Sequence, residues 1–494
     1  MDIDNLIQQS LNKCFEYLKE NKFIKAKILS YQTTKVNPEC HDAYMILGIC
    51  LLKDQDNEKA KLCFLKCLES EKLKESAYNN LSICYDRLNQ NDKSLQCILK
   101  CLDINPKKDY YWSQLALQYK KLNEKSKAED AFLRAIETNP SSINHANYGS
   151  FLGDDEQYEK AAFFFEKAIK IDPNFSDPYI DLFHVHALGN KYNHKLWQNY
   201  EKRFDVYNQL KWVKEKKVPV PNKIEDCYNK NCLIYCEQGI GDTIMFLRYL
   251  KFIPKNIKFT VFCTKDTEAL FKKMNLKTTT KLNEKKFDYY ISFLSLPYYL
   301  KLSKIPKSYF PFKSKNKKFN GNIGVCWCGS PSHAHDKYRS INFKEFKNIF
   351  ENVDFKIFSL VKNYSYRKYV ETNQICDLSN GVLENSKLID NSTKMKSVLD
   401  TVKIILKNKI SLIITVDTMV AHLAASMGIE TWLLLSKKCD WRWSYQEKTK
   451  WYERNLKIFR QSKLDNWNDV IQKIKERLEK RSLTKGIRKT TKKI

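Results

Sequence analysis

From residue 7 to 173, small and apolar positions return at a fixed interval. Ala26, Ala60, Ser94, Ala128 and Ala161 recur at 34, 34, 34 and 33 residues, each twelve residues ahead of Pro38, Lys72, Pro106, Pro140 and Pro173. Leu47, Gly48, Ala60 and Phe64 form one such unit, and two units later come Trp112, Leu115, Ala116, Tyr119, Ala128, Phe132 and Ala135. Small side chains let antiparallel helices approach, aromatics fill the gap between them, and the proline stops the second helix. The pattern predicts a helical hairpin repeated about five times. A partial sixth unit at Pro178 to His186 then caps the array, followed by an amphipathic helix from His194 to Lys214. His184 and His186 read as helix-face residues rather than metal ligands.

These units resemble the tetratricopeptide repeat. Such a stack buries a continuous core and presents a concave surface, which implies binding of a peptide or another extended partner.

After Val218–Asn222 (VPVPN), which no helix can cross, the period changes. Short apolar runs alternate with helical stretches: CLIYC at 232, KFTVF at 258, FDYYI at 287, NIGVCW at 322, FKIFSL at 355, SLIITV at 411 and TWLLL at 431. Continuous apolar runs of this length are buried parallel strands, and the alternation predicts an α/β architecture. A lysine- and proline-bearing seam from Ser303 to Phe319 divides it into two Rossmann-like halves, with ligands expected at strand carboxyl ends. The expected organisation is a repeat solenoid at 1–190, a helical linker at 191–220, α/β halves at 221–315 and 316–475, and a basic tail at 476–494.

Charge changes this picture little. The net charge is +29, but only 12 of the 86 basic residues are arginine, the residue suited to bidentate phosphate and base contacts. No specific nucleic-acid partner is expected. The tail from Lys473 carries ten Lys/Arg against two Glu and reads as a solvated helix end and arm, with at most a peripheral membrane contact. The sixteen cysteines include Cys63/Cys67 and Cys97/Cys101 at helical spacing and Cys232/Cys236 around a strand, with no paired CxxC at zinc spacing. They read as buried thiols of a reducing compartment. With no leader-like N-terminus and no long apolar run, the expected location is the cytoplasm.

Three segments at strand ends carry candidate chemistry. Glu237-Gln238-Gly239-Ile240-Gly241-Asp242-Thr243 turns from a strand into a helix whose open amides can receive an anion, although by itself Asp242 reads rather as a cap of that helix. Trp327 to Ser340 supplies Lys337 and Arg339 to a loop suited to a leaving phosphate or simply solvated, and its His333 and His335 lack a matching third ligand. SLIITVDTMVAHLAASMG passes from a buried strand through Asp417-Thr418 into a helix with His422. Asp440-Trp441-Arg442-Trp443 and Trp451-Tyr452 follow as an aromatic and basic patch.

EQGIGDTIMFLRYL, WCGSPSHAHDKYRSI, VDTMVAHLAASMG, CDWRW, KWYERN and LKIFRQ, in this order after the repeats, closely resemble bacterial repeat-fused glycosyltransferases related to the ADP-heptose heptosyltransferases. The likeness runs from residue 7 to about 475. It implies a GT-B fold, two Rossmann-like domains closing on a nucleotide-diphosphate sugar, with inversion at the anomeric carbon. It implies Asp242 as general base and a donor phosphate site of Gly241, Lys337, Arg339, Ser340, Asp417, Thr418, Met419 and His422. Glu237, Gln238, Trp327, Trp441 and Arg442 are possible substrate contacts. Met419 replaces the glycine of the heptosyltransferases, and Val361 stands where relatives have glutamine. No Asp-x-Asp pair lies between residues 229 and 470, which agrees with a transferase needing no metal or other cofactor. The partners expected are a nucleotide sugar and a protein or glycan acceptor. Two other readings are a protein O-glycosyltransferase of similar architecture and a repeat scaffold whose catalytic half has decayed.

Overall fold

The computed structural model describes residues 3–207, 218–281, 287–314, 318–331, 333, 336–362, 388–452 and 454–490, the last seven by backbone alone. The end of the expected His194–Lys214 helix, the middle of the seam, His335 and residues 491–494 lie outside them. The chain forms two compact units, Met1–Pro178 and Tyr179–Ile494, rather than dividing at residue 190.

The first unit is five helical hairpins: α1 (Ile3–Lys19) with α2 (Phe23–Val36), α3 (His41–Lys53) with α4 (Asn57–Cys67), α5 (Lys74–Arg87) with α6 (Asn91–Ile104), α7 (Asp109–Lys121) with α8 (Lys125–Thr138), and α9 (Ser142–Asp154) with α10 (Tyr158–Ile171). Ala26, Ala60, Ser94, Ala128 and Ala161 are all fully buried. A Cβ at Gly48 would meet the Phe64 ring at 2.6 Å, so this crossing admits no larger residue without movement. Cys67 and Cys101 occupy the slot that Ala135 and Ala168 fill in later units, and burial pushes both thiols up to about 12. Every described cysteine is free.

A further column escaped the sequence reading. Asn21, Gln55, Asn89, Asn123, Glu156 and Asn190 all have φ between 57° and 65°, one left-handed residue turning the chain after each first helix. Asn190 extends the period to the helix Asp177–Leu188, although Tyr179 onward belongs to the second unit.

The second unit holds two all-parallel sheets. The smaller has the order β3-β2-β1-β4, with β1 Asn231–Tyr235, β2 Lys258–Phe262, β3 Thr278–Thr279 and β4 Tyr289–Ser292. The larger has the order β10-β9-β8-β5-β6-β7, with β5 Asn322–Cys326, β6 Lys356–Ser359, β7 Leu388–Ile389, β8 Leu412–Val416, β9 Glu430–Leu435 and β10 Leu456–Arg460. Central β8 is buried at every position, as a strand covered on both faces must be. Helices connect the strands, an arrangement compatible with an α/β class.

One expectation about a flanking segment needs correction. Leu196, Trp197 and Tyr200 of the helix His194–Tyr200 are buried, the two aromatic rings against Phe246, Trp441 and Trp451 of the second unit, so this helix is core rather than linker. The basic residues from Lys473 lie on a helix, Asn468–Thr490, that buries Val470, Ile474 and Leu478 and leaves Lys473, Glu476, Arg477 and Lys480 exposed. Its Arg481 binds both carboxylate oxygens of Glu430 at 2.7 and 3.0 Å and stacks on Trp432.

Candidate active site

Two strand ends, one from each sheet, meet. β1 runs into the loop Cys236–Gly239 and the helix Ile240–Phe246, and β8 runs through Asp417 into the helix Met419–Ser426. A Cβ on Gly241 would stand 2.8 Å from the His422 ring and 3.6 Å from the Met419 backbone, so glycine is what lets these helix starts touch.

Asp242 does not cap its helix, which starts at Gly239 with no side-chain cap. Its carboxylate pairs instead with Arg442, which is 8% exposed and lies 200 residues away in the chain. The same guanidinium donates to Asp440 at 2.5 Å and to Gln238 Oε1, and it stacks on Trp441. Burial pushes the Asp242 carboxyl up to about 6, although the Arg442 charge opposes the rise. Burial, with Asp440 nearby, also raises Asp417. Burial would raise Asp440 too, but Arg442 holds it below its ordinary value. One guanidinium thus serves two carboxylates, and burial raises the less favoured of them to about 6.

Beside this pair, Arg339 donates from Nε to Asp336 at 3.0 Å and from Nη1 to the Asp417 carbonyl at 3.1 Å, which brings a cation to the end of β8. Thr418 accepts from the Val420 N–H and caps the Met419–Ser426 helix, whose first-turn amides open toward the strand end. Asp242, Gly241, Gln238, Arg442, Arg339, Asp417, Thr418 and Met419 therefore cluster.

Other candidates are committed elsewhere. Ser340 is buried, donating to Asp336 at 3.0 Å and accepting from the Gly329 N–H, so its hydroxyl braces the loop. Lys337 is exposed and lies over the Tyr338 ring. His422 is buried, stacked on Trp443 with centroids 4.6 Å apart and bonded to the Tyr452 hydroxyl, and burial lowers it to about 3. A neutral, packed imidazole is a poor phosphate ligand. Trp327 packs on Phe343 and Phe346, and Trp441 on Phe183, Tyr200 and Trp451, so both are core. The Glu237 side chain is fully buried and both its oxygens accept from Arg203, at 2.7 and 3.2 Å, which closes it off from a substrate.

Arg203 was not singled out in the sequence. It is fully buried and also binds Glu201 at 2.6 Å and Ser295 at 2.8 Å, locking the helix His194–Tyr200 to the β1 loop. Tyr200 continues the lock by accepting from Gln238 at 3.3 Å. A signal for these residues existed: in a chain so poor in arginine, Arg203, Arg248 and Arg442 are all buried where a planar fork of donors is needed.

One group of possible metal ligands lies together among the described residues, Glu39, His41 and Glu69 of the first unit, within 4.8 Å of one another. Glu69 is already paired with Lys66 at 3.1 Å. No helix among the described residues is long and apolar enough to cross a membrane.

A tetratricopeptide-repeat family model matches residues 41–72, 75–108, 110–142 and 144–175, so the N-terminal part of the chain carries four such repeats, spanning α3 to α10. The α1/α2 hairpin, expected as a fifth copy, has the same form but lies outside the matched residues. No curated protein matches the chain. Similar solved structures include a thermophilic repeat protein of this class from Thermus thermophilus, 18% identical over 36% of this chain and 98% of that one, with a TM-score of 0.32. The Pseudomonas aeruginosa protein pilF is 13% identical over 43% of this chain and 93% of its own, with a TM-score of 0.34. YrrB, described as a repeat protein with an unusual peptide-binding site, is 19% identical over 34% of this chain and 86% of its own, with a TM-score of 0.29.

Proposed function

We propose that the second unit is a GT-B glycosyltransferase that moves a sugar from a nucleoside-diphosphate donor to an acceptor hydroxyl with inversion, and that the repeat array binds a protein partner or acceptor. The observation that carries this reading is the close approach of Gly241, beside Asp242 in the helix after β1, to His422 and Met419 of the helix after β8, whose strand end also holds Asp417, Thr418 and Arg339. In α/β proteins ligands bind outside strand carboxyl ends, and here two parallel sheets present theirs to one another.

The chemistry follows from the residues. An acceptor hydroxyl is a weak nucleophile, and a carboxylate titrating near 6 can take its proton as the oxygen bonds to the anomeric carbon. The bond from that carbon to the phosphate oxygen breaks on the opposite face, and its electron pair leaves with the nucleoside diphosphate. Arg339 and the amide at Met419 stabilise the departing charge. Donor entry requires the contact of Gly241 with His422 and Met419 to open, and the acceptor must share or displace Arg442 at Asp242.

The test is calorimetric titration of ADP, GDP and UDP into the full chain with excess chelator. We expect one of them to bind. Absence of binding by all three removes the donor site, and binding that vanishes with the chelator removes the metal-independent step.

A further inference from the structure

The left-handed turn position of the repeat changes its use in the last copy. Asn21, Gln55, Asn89, Asn123 and Glu156 are exposed at this register, whereas Asn190 is 6% exposed. Its side chain is committed to a loop 256 to 260 residues downstream. Nδ2 donates to Gln446 Oε1 at 3.1 Å and to the Lys448 carbonyl at 2.9 Å, and Oδ1 accepts from the Lys450 N–H at 3.1 Å. The rest of the turn holds the same loop. The Leu188 carbonyl accepts from the Ser444 hydroxyl at 2.7 Å and the Tyr445 N–H at 3.1 Å, and the Tyr192 hydroxyl accepts from Trp451 Nε1 at 3.0 Å.

This loop carries Arg442. Thr449 sits between the two backbone groups that Asn190 holds, and its hydroxyl donates to the Arg442 carbonyl at 3.1 Å. Asn190, Arg442, Ser444 and Thr449 are all buried, so water does not replace these bonds when they break. Between β9 and β10 the described residues form no helix or strand, so the ties to residues 188–192 take the place of a backbone ladder.

We infer that Asn190 is a positioning residue, which holds the 440–452 loop so that Arg442 meets Asp242. Its consequence for catalysis rests on the transferase reading. Loosening the loop withdraws Arg442, the charge that opposes the rise of the Asp242 carboxyl. It also loosens Asp440, whose charge acts the other way, but only Arg442 is bonded to Asp242. Asp417, Cys236 and Tyr452 act on the same carboxyl, and neutral His422 lies beside Gly241. The Asn190 side chain bonds to none of these, so its loss acts through Arg442 and leaves the base titrating higher.

The test compares Asn190→Gly, which keeps the left-handed turn, with Asn123→Gly, the same change in the array. In the full chain, hydrogen exchange read by mass spectrometry should quicken about tenfold or more at residues 440–452 in Asn190→Gly and stay unchanged there in Asn123→Gly. The acid limb of single-turnover transfer should move above pH 6 in Asn190→Gly, with nucleotide affinity little changed. Thr449→Val removes only the hydroxyl that holds Arg442 and should repeat that shift, which keeps the test open if Asn190→Gly fails to fold. A readout without substrate is the urea midpoint: the shift caused by Asn190→Gly should shrink in the Asp242→Asn background, where the Arg442 tie is already weakened. Unchanged exchange at 440–452, or equal urea shifts in both backgrounds, overturns the inference. So does a loosened loop with an unshifted acid limb, which would leave Asn190 a structural tie. A parent chain that binds no nucleotide and transfers nothing contradicts the transferase reading instead, and exchange and urea midpoints then decide whether Asn190 sets the Arg442–Asp242 pair.

Discussion

The two units depend on opposite kinds of contact. In the array, each hairpin leans on its neighbours, and the side-chain contacts that define it join residues no more than 36 apart, such as Tyr111 with Glu75 or Lys121 with Asp86. In the second unit the decisive contacts join Arg442 to Asp242 across 200 residues and Arg248 to the Trp451 carbonyl across 203. A repeat array can therefore lose a turn and keep the rest, whereas a site assembled from distant segments fails as a whole.

The largest effect should come from cutting the chain at the wrong place. A fragment 221–494 lacks Phe183, Trp197, Tyr200 and Arg203, leaving Trp441 and Trp451 uncovered and Glu237 buried without its counter-charge. We expect it to be insoluble or without near-UV circular dichroism, while fragments 1–178 and 179–494 each unfold cooperatively. A well-folded 221–494 would show that the helices before residue 207 are dispensable.

Arg203→Met should follow in magnitude. It strands Glu237 and Glu201 in the core, so urea unfolding of the second unit should lose about 3–5 kcal/mol. Gly48→Ala comes next, at about 1–3 kcal/mol, because its methyl group meets the Phe64 ring. Its effect should be confined to the array's own transition. If Gly48→Ala shifts both transitions equally, the units are not independent. Lys120→Ala removes an ion pair of the array whose side chains are 34% and 47% exposed, and should cost under about 1 kcal/mol.

The same contrast explains what was legible in the sequence. The 34-residue columns reveal the array because its packing is local, and even the unnoticed left-handed turn residues follow that period. Strands β1, β2, β4, β5, β6, β8 and β9 announce themselves as apolar runs. β3 and β7 are two-residue edge strands with no pattern to find, and β10 alternates buried Leu456 with exposed Lys457. At the site, the residues at strand ends were legible as candidates because parallel topology puts loops there. Which of them face a ligand was not. A tryptophan beside a strand reads the same whether it lines a cleft or, like Trp327 and Trp441, fills the core. Glu237 looked available because nothing local announces Arg203, 34 residues upstream, as its partner.

The central claim is that Asp242 is the base of a transfer reaction, and single-turnover transfer measured beside nucleotide affinity tests it most directly. Because burial lifts the Asp242 carboxyl to about 6, the ionised base predominates only above that value, so wild-type transfer should rise through about pH 6 to a plateau. Asp242→Asn keeps the size of the side chain but cannot take the proton, so transfer should fall about 10² to 10⁴-fold with nucleotide affinity little changed. Arg339→Ala should weaken nucleotide binding by about 1.5–3 kcal/mol as well as slow transfer. Near-normal transfer by Asp242→Asn, with the same pH profile as the wild type, would contradict the account and leave the Asp242–Arg442 pair a structural tie between the two sheets.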